Sequence, residues 1–171
     1  MEVGRICKNN VRVNKNLNNL FLVDVVMSAE ENMRLMKTLD DSWNSQDWDI
    51  FSTRHTEDVI VRWPGQTEPT RGLNAHRNEG VEMFKMFPDN HVENNPYKVL
   101  FGQGEWTCSI AIFTGTHKGP MMGPGGKTIP PTNKKYQVDF CTVAHWKNGQ
   151  IDEENLFYDQ GGMMRQLGLM Q

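Results

Sequence analysis

The chain divides by the spacing of its apolar residues. Met33, Met36, Leu39 and Trp43 recur at helical spacing as far as about Gln46, and Ser28 with Glu31 three residues on has the form of a capping box. A short helical piece, DWDIFSTRH, follows. DVIVRWP then reads as a strand stopped by Pro64, and GQTEPTRG as a loop. A further helix begins at Leu73 and carries His76, Gly80, Val81, Phe84 and Phe87 on one stripe before Pro88 ends it. After PDNHVENNP the pattern changes to long strands: YKVLFGQG, EWTCSIAIFTGTHKG, KKYQVDFCTVAHW and QIDEENLFYD. Tight turns such as GQGE and KNGQ join them, and a short helix around GGMMRQLG closes the chain. Helices first and an antiparallel meander last predict an α+β fold. In it, one strongly bent antiparallel sheet forms a half-barrel around the helices of the first half.

The last strand holds a run of acids whose faces matter. Alternation puts Ile151, Glu153, Asn155, Phe157 and Asp159 on one side and Asp152, Glu154, Leu156 and Tyr158 on the other. The Asn148-Gly149 pair favours a two-residue type I′ turn that pairs Lys147 with Gln150. Val138, Phe140, Thr142, Ala144 and Trp146 then share the first face, while Asp139, Cys141, Val143, His145 and Lys147 share the second. A three-residue loop with a bulge at Gly149 would exchange the partners; the segregation of apolar residues favours the first pairing. On that pairing Glu153, Asn155 and Asp159 lie among apolar side chains, where burial disfavours an ionised carboxyl and brings its pKa towards that of a useful general acid or base. The alternative role for each acid is structural: accepting backbone or Arg hydrogen bonds and closing the barrel end.

Composition narrows the functional classes. The 171 residues fit one domain, with 37% hydrophobic and 23% charged residues and a mean hydropathy of -0.62. A net charge of -3, with neither a basic stripe nor interleaved aromatics, speaks against nucleic acid. Cys7, Cys108 and Cys141 have no paired spacing, so a disulfide framework is not expected and a reducing cytoplasm suits them. The five histidines show no metal-ligand spacing, which predicts no metal site. Residues 1–27 carry Arg5, Lys8, Arg12 and Lys15 against Glu2 and Asp24, and read as a flexible tail before a domain at 28–171. Their apolar run from Leu20 to Met27 is interrupted by Asp24 and is too short to span a membrane.

Several other side chains are candidates. His117 ends a strand, where it could reach a pocket mouth or hold the following loop. His76 lies on an apolar helix stripe, the usual place of a hydrogen-bonded core histidine. Asp139 and His145 could pair across the sheet or at a dimer interface. Trp43, Trp63, Phe84, Phe140 and Trp146 could line a pocket for a flat ligand or be plain core. GPMMGPGGKTIPP lacks the helix N-terminus that a phosphate loop needs; Met121 and Met122 suit a flap or a dimer-edge loop.

The string FTGTHKGPMMGPGGKTIPPTNKKYQVDF, the hairpin HWKNGQIDEENLFYD and the terminal MMRQLGL resemble the SnoaL-like polyketide, or ester, cyclases. The resemblance spans roughly residues 28–171, with SWNSQDWDIF and RGLNAHRNEGVEMFKMFPD inside it. It implies a cystatin-like, or nuclear-transport-factor-like, α+β barrel with a conical pocket, usually in homodimers. It also implies aldol-type closure of a polyketide-like substrate by a pocket-facing acid/base, without metal or cofactor. On this likeness Glu153 and Asp159 are the acid/base candidates, with Asn155 and His117 polarising a substrate oxygen. A ligand-binding or dimerisation module without chemistry, or a related isomerase or hydrolase, are the alternatives.

Overall fold

The computed structural model describes residues 27–170; the expected tail therefore lies outside the described residues, save Met27, which packs against the core. Helix α1 (Ala29–Ser45) opens as its sequence demands, the Ser28 hydroxyl accepting the Glu31 N–H at 3.2 Å. Glu31 completes no capping box, because its carboxylate is taken by Arg34. The buried stripe of α1 runs through Asn32, Leu35, Met36, Leu39, Asp40 and Trp43, which places one acid among the core residues. The short α2 (Trp48–Thr53), capped by Asp47, leads into strand β1 (His55–Arg62). A two-residue strand β2 (Thr70–Arg71) precedes α3 (Leu73–Met86).

The second half supplies β3 (His91–Glu93), β4 (Val99–Gln103), β5 (Trp106–Thr116), β8 (Lys135–Lys147) and β9 (Gln150–Tyr158). A small hairpin of β6 (Met121–Met122) and β7 (Thr128–Ile129) stands apart from the main sheet, and α4 (Gln160–Gln166) follows β9. The main sheet runs β2-β1-β9-β8-β5-β3, with β4 on the same edge of β5. Its architecture is α+β with a bent, open sheet as expected, with one correction, the direction of β1. The sheet is mixed, because β1 lies parallel to β9, and it is curved without closing into a barrel. The parallel pair arises because β1 comes from the helical first half, whereas the meander itself is antiparallel throughout.

The turn after β8 is the expected one. Lys147 pairs with Gln150, and Asn148 and Gly149 take φ values of 52° and 79°, the left-handed pair that a type I′ turn requires. Strand β8 alternates as expected, burying Tyr136, Val138, Phe140, Thr142, Ala144 and Trp146. In β9 the alternation breaks. Trp146 pairs with Ile151 but His145 pairs with Glu153, so Asp152 is an extra residue in the ladder, a β-bulge. Every side chain beyond it changes face: Glu154 and Leu156 go in, while Glu153, Asn155 and Phe157 go out. Ile151 and Leu156 have opposite parity, and a regular strand buries one of them; the bulge buries both.

Candidate active site

The sheet's inner face and the helices border a narrow cleft with a cavity of about 30 Å³. Aromatic and aliphatic side chains dominate its wall, among them Trp43, Phe51, Trp63, Phe113 and Phe140. Three titratable groups also line it: Asp40 from α1, His76 from α3 and Glu154 from β9. Trp43, Trp63, Phe140 and His76 stand in the cleft wall. Phe84 and Trp146 do not. Phe84 packs behind Trp43 and Trp48, and Trp146 is wholly buried with its Nε1–H donated to Thr107 Oγ1 at 2.8 Å.

Asp40 is enclosed by the core, and its Oδ2 accepts the Tyr97 hydroxyl at 2.6 Å. Burial raises its pKa to about 7, and the negative charge of Glu154 adds to the rise, while the Tyr97 hydrogen bond offsets only part. Glu154 responds in the opposite sense although it is equally buried. Burial by itself would raise it, but His55 and His76 outweigh that and hold it well below the usual carboxylate range. His76 Nε2 lies 3.3 Å and His55 Nε2 3.8 Å from the same oxygen, Glu154 Oε2. His76 would be depressed by its burial, yet the carboxylates of Glu154 and Glu79 raise it to about 9. His55, with burial dominating, is lowered.

Glu79 organises the rim. It accepts Trp63 Nε1–H at 2.9 Å, Gln66 Nε2–H at 3.2 Å and the Thr70 hydroxyl, and faces His76 Nδ1 at 3.4 Å. A single carboxylate thereby ties the loop after β1 to α3 and orients the cleft histidine.

The acids expected inside lie elsewhere. The bulge turns Glu153 to the outer face, where Arg62 Nη1 donates to it at 2.8 Å and Asn155 Nδ2 at 3.1 Å. Asn155 also receives Arg62 and faces away from the cleft. Asp159 lies just past the strand as the N-cap of α4, accepting the Gly162 N–H at 2.7 Å with its side chain 68% exposed. His117 is buried outside the cleft wall; its Nδ1 accepts the Thr132 N–H at 3.2 Å, which fastens the 117–134 loop. Asp139 binds Lys98 and His145 binds Asp152, so these two do not pair with each other. The site residues missed by sequence reading are Asp40, His55, Glu79 and Glu154. Asp40 had a signal, since it stands four residues after Met36 and three before Trp43 on the helical stripe.

The fold and the cleft together define an α+β protein of the nuclear-transport-factor-like class, with a pocket on the concave face of its sheet. The SnoaL-like polyketide cyclase family model matches residues 33–167, and the chain belongs to that family. Solved structures agree on the fold. A candidate SnoaL-like polyketide cyclase from Jannaschia sp. CCS1 superposes with a TM-score of 0.72 at 20% identity, over 84% of this chain and 95% of that one. A candidate polyketide cyclase, IdmH, from Streptomyces antibioticus gives 0.68 at 19%, over 80% and 98%. AclR, a candidate hydroxylase from Streptomyces galilaeus, gives 0.70 at 17%, over 84% and 89%. Comparison with curated protein sequences finds no match. Among the described residues no helix is long and apolar enough to cross a membrane.

Proposed function

We propose that the protein is a small-molecule enzyme whose cleft performs cyclase-type chemistry by general acid/base catalysis at a carbon next to a carbonyl, with Asp40 as the proton-transferring group. One observation carries this reading: two buried carboxylates line one apolar cleft, and their surroundings drive their pKa values apart, Asp40 to about 7 and Glu154 downwards. Such a split separates a group able to exchange a proton at neutral pH from one that stays ionised. The ionised Asp40 takes a proton from the carbon flanked by carbonyls. The enolate carbon then bonds to a second carbonyl carbon of the same chain, and the resulting alkoxide takes the proton back from Asp40, so no net proton is consumed. The aromatic wall supports an apolar, polyketide-like substrate folded so that its ends meet.

Ring closure of linear β-keto esters, followed by chromatography and mass spectrometry, tests the assignment. Glu153→Gln and Asp159→Asn are expected to keep turnover within about threefold of the parent, because neither side chain reaches the cleft. Turnover that persists in Asp40→Asn, or that vanishes in Glu153→Gln, would reject Asp40 as the acid/base.

The reading includes a homodimer. Val99, Phe101, Trp106 and Phe157 are all exposed on the outer face of the sheet, where Phe101 pairs with Cys108 and Val99 with Ile110. An apolar strip of this kind on one sheet face suits a two-fold contact with a second copy. Phe101→Lys is expected to convert the dimer to a monomer by light scattering; an unchanged mass would place the contact elsewhere.

A further inference from the structure

His55 at the start of β1, His76 in α3 and Glu154 in β9 converge on one point from three elements. One ligand-type atom from each lies within 4.8 Å of the other two, and all three residues are buried. Separations of 21 and 78 residues in the chain hide this grouping from any spacing motif.

The hydrogen bonds of the two rings decide where their lone pairs point. His55 Nδ1 stands 3.0 Å from the Phe51 carbonyl oxygen, which can only accept, so Nδ1 carries the proton and Nε2 presents a lone pair. That lone pair faces Glu154, whose carboxylate is also an acceptor. Nε2 has no hydrogen-bond partner, although His55 is 1% exposed. Two acceptors facing each other in a buried site leave a place for a cation, and an ion there would displace the proton through which His76 Nε2 meets the same carboxylate. On His76, Glu79 takes the Nδ1 side and directs Nε2 to the same Glu154 oxygen. A ring nitrogen held by a carbonyl or carboxylate, with the other aimed at a shared centre, is how metal-binding histidines are oriented.

We propose that His55 Nε2, His76 Nε2 and the Glu154 carboxylate form a binding site for one divalent transition-metal ion of the zinc type. Two imidazoles and one carboxylate are a donor set that zinc accepts, with a further position left open. Donors around a tetrahedral zinc stand about 3.4 Å apart; the 3.3 and 3.8 Å to the Glu154 oxygen are close to that, and the set as a whole, within 4.8 Å, closes further around an ion. His76 and Glu154 line the cleft, and the open position is therefore reached from it by water or by a substrate carbonyl oxygen. An ion there would polarise that carbonyl while Asp40 moves the proton, a role that rests on the acid/base reading, whereas the binding of the ion does not.

The test uses the full chain, stripped with chelator and titrated with Zn²⁺ by calorimetry, and with Co²⁺ by visible spectroscopy. One equivalent of Zn²⁺ is expected per chain, with Co²⁺ d–d bands of mixed nitrogen and oxygen coordination. His55→Ala is expected to weaken binding by more than about 100-fold, and Glu79→Gln, which removes the support of His76, by about 10–100-fold. His145→Ala, at a surface histidine beside Asp152 and Glu105, leaves it unchanged. Should His55→Ala fail to fold, histidine-ring NMR of the parent chain decides, through Zn²⁺-induced shifts of the His55 and His76 rings. Absence of stoichiometric uptake, uptake that survives both His55→Ala and Glu79→Gln, or loss in His145→Ala overturns the site. Asp40→Asn retains Zn²⁺ while losing turnover, so the two readings fail separately.

Discussion

Asp40→Asn is expected to lower turnover by about 10²–10⁴-fold, the usual worth of a positioned acid/base, and at the same time to stabilise the fold above neutral pH. Asparagine keeps the shape and can still accept the Tyr97 hydroxyl through its side-chain oxygen. It cannot take up a proton. The stability effect follows from the direction of the shift. In the folded chain the Asp40 carboxyl titrates near 7, against about 4 in the unfolded chain. Between those values the folded state holds a proton that the unfolded state has released, so stability falls as the pH is raised through this window and levels off above it. Three pKa units correspond to an upper limit of about 4 kcal/mol. Urea melts at pH 5 and pH 8, run with chelator present, should therefore show a steeper decline in the parent chain than in the variant, which keeps only the part due to the raised pKa of His76. Parallel pH dependence in the two proteins would mean that Asp40 does not hold its proton near neutrality. Activity should run the other way, rising with pH through about 7, because the base must be ionised before it can act.

The second large effect is expected at Glu154. Glu154→Leu removes the acceptor that His55 and His76 share at 3.8 and 3.3 Å and leaves two imidazoles facing apolar surface. Breaking a buried pair from one side costs about 3–5 kcal/mol, because the remaining polar groups keep the cost of their desolvation without its compensation. Glu153→Leu, one residue earlier and on the outer face, is expected to change stability by no more than about 0.5 kcal/mol, since its partner Arg62 is half exposed. Urea midpoints of the two variants make the comparison directly. Equal losses would show that β9 does not change face at Asp152. Replacing His55, His76 and Glu154 together by apolar residues of similar volume should recover much of the loss, as a dry core no longer holds unpaired groups.

Much of the fold could be read from local pattern. The Ser28 cap, the α1 stripe, the Asn148-Gly149 turn and the alternation of β8 all follow from chemistry within a few residues, and each stands where that chemistry puts it. Trp43, His76 and Phe140 keep the faces that their stripe and strand parities give them, and those faces border the cleft. The acids could not be read in this way. Their assignment depended on the parity of β9, and one extra residue, Asp152, reverses parity for everything after it. A hint was present, because Ile151 and Leu156 cannot both be buried in a regular strand.

By itself, then, the sequence determined the order of elements, the family and the apolar character of the cleft, because propensity, capping and turn chemistry act over a few residues. Only the tertiary structure decided which carboxylates face that cleft. It gathers Asp40, His55, His76 and Glu154 from four separate elements, and its bulge exchanges Glu153 for Glu154. Burial, the cause of the raised pKa of Asp40, exists only once those elements have packed.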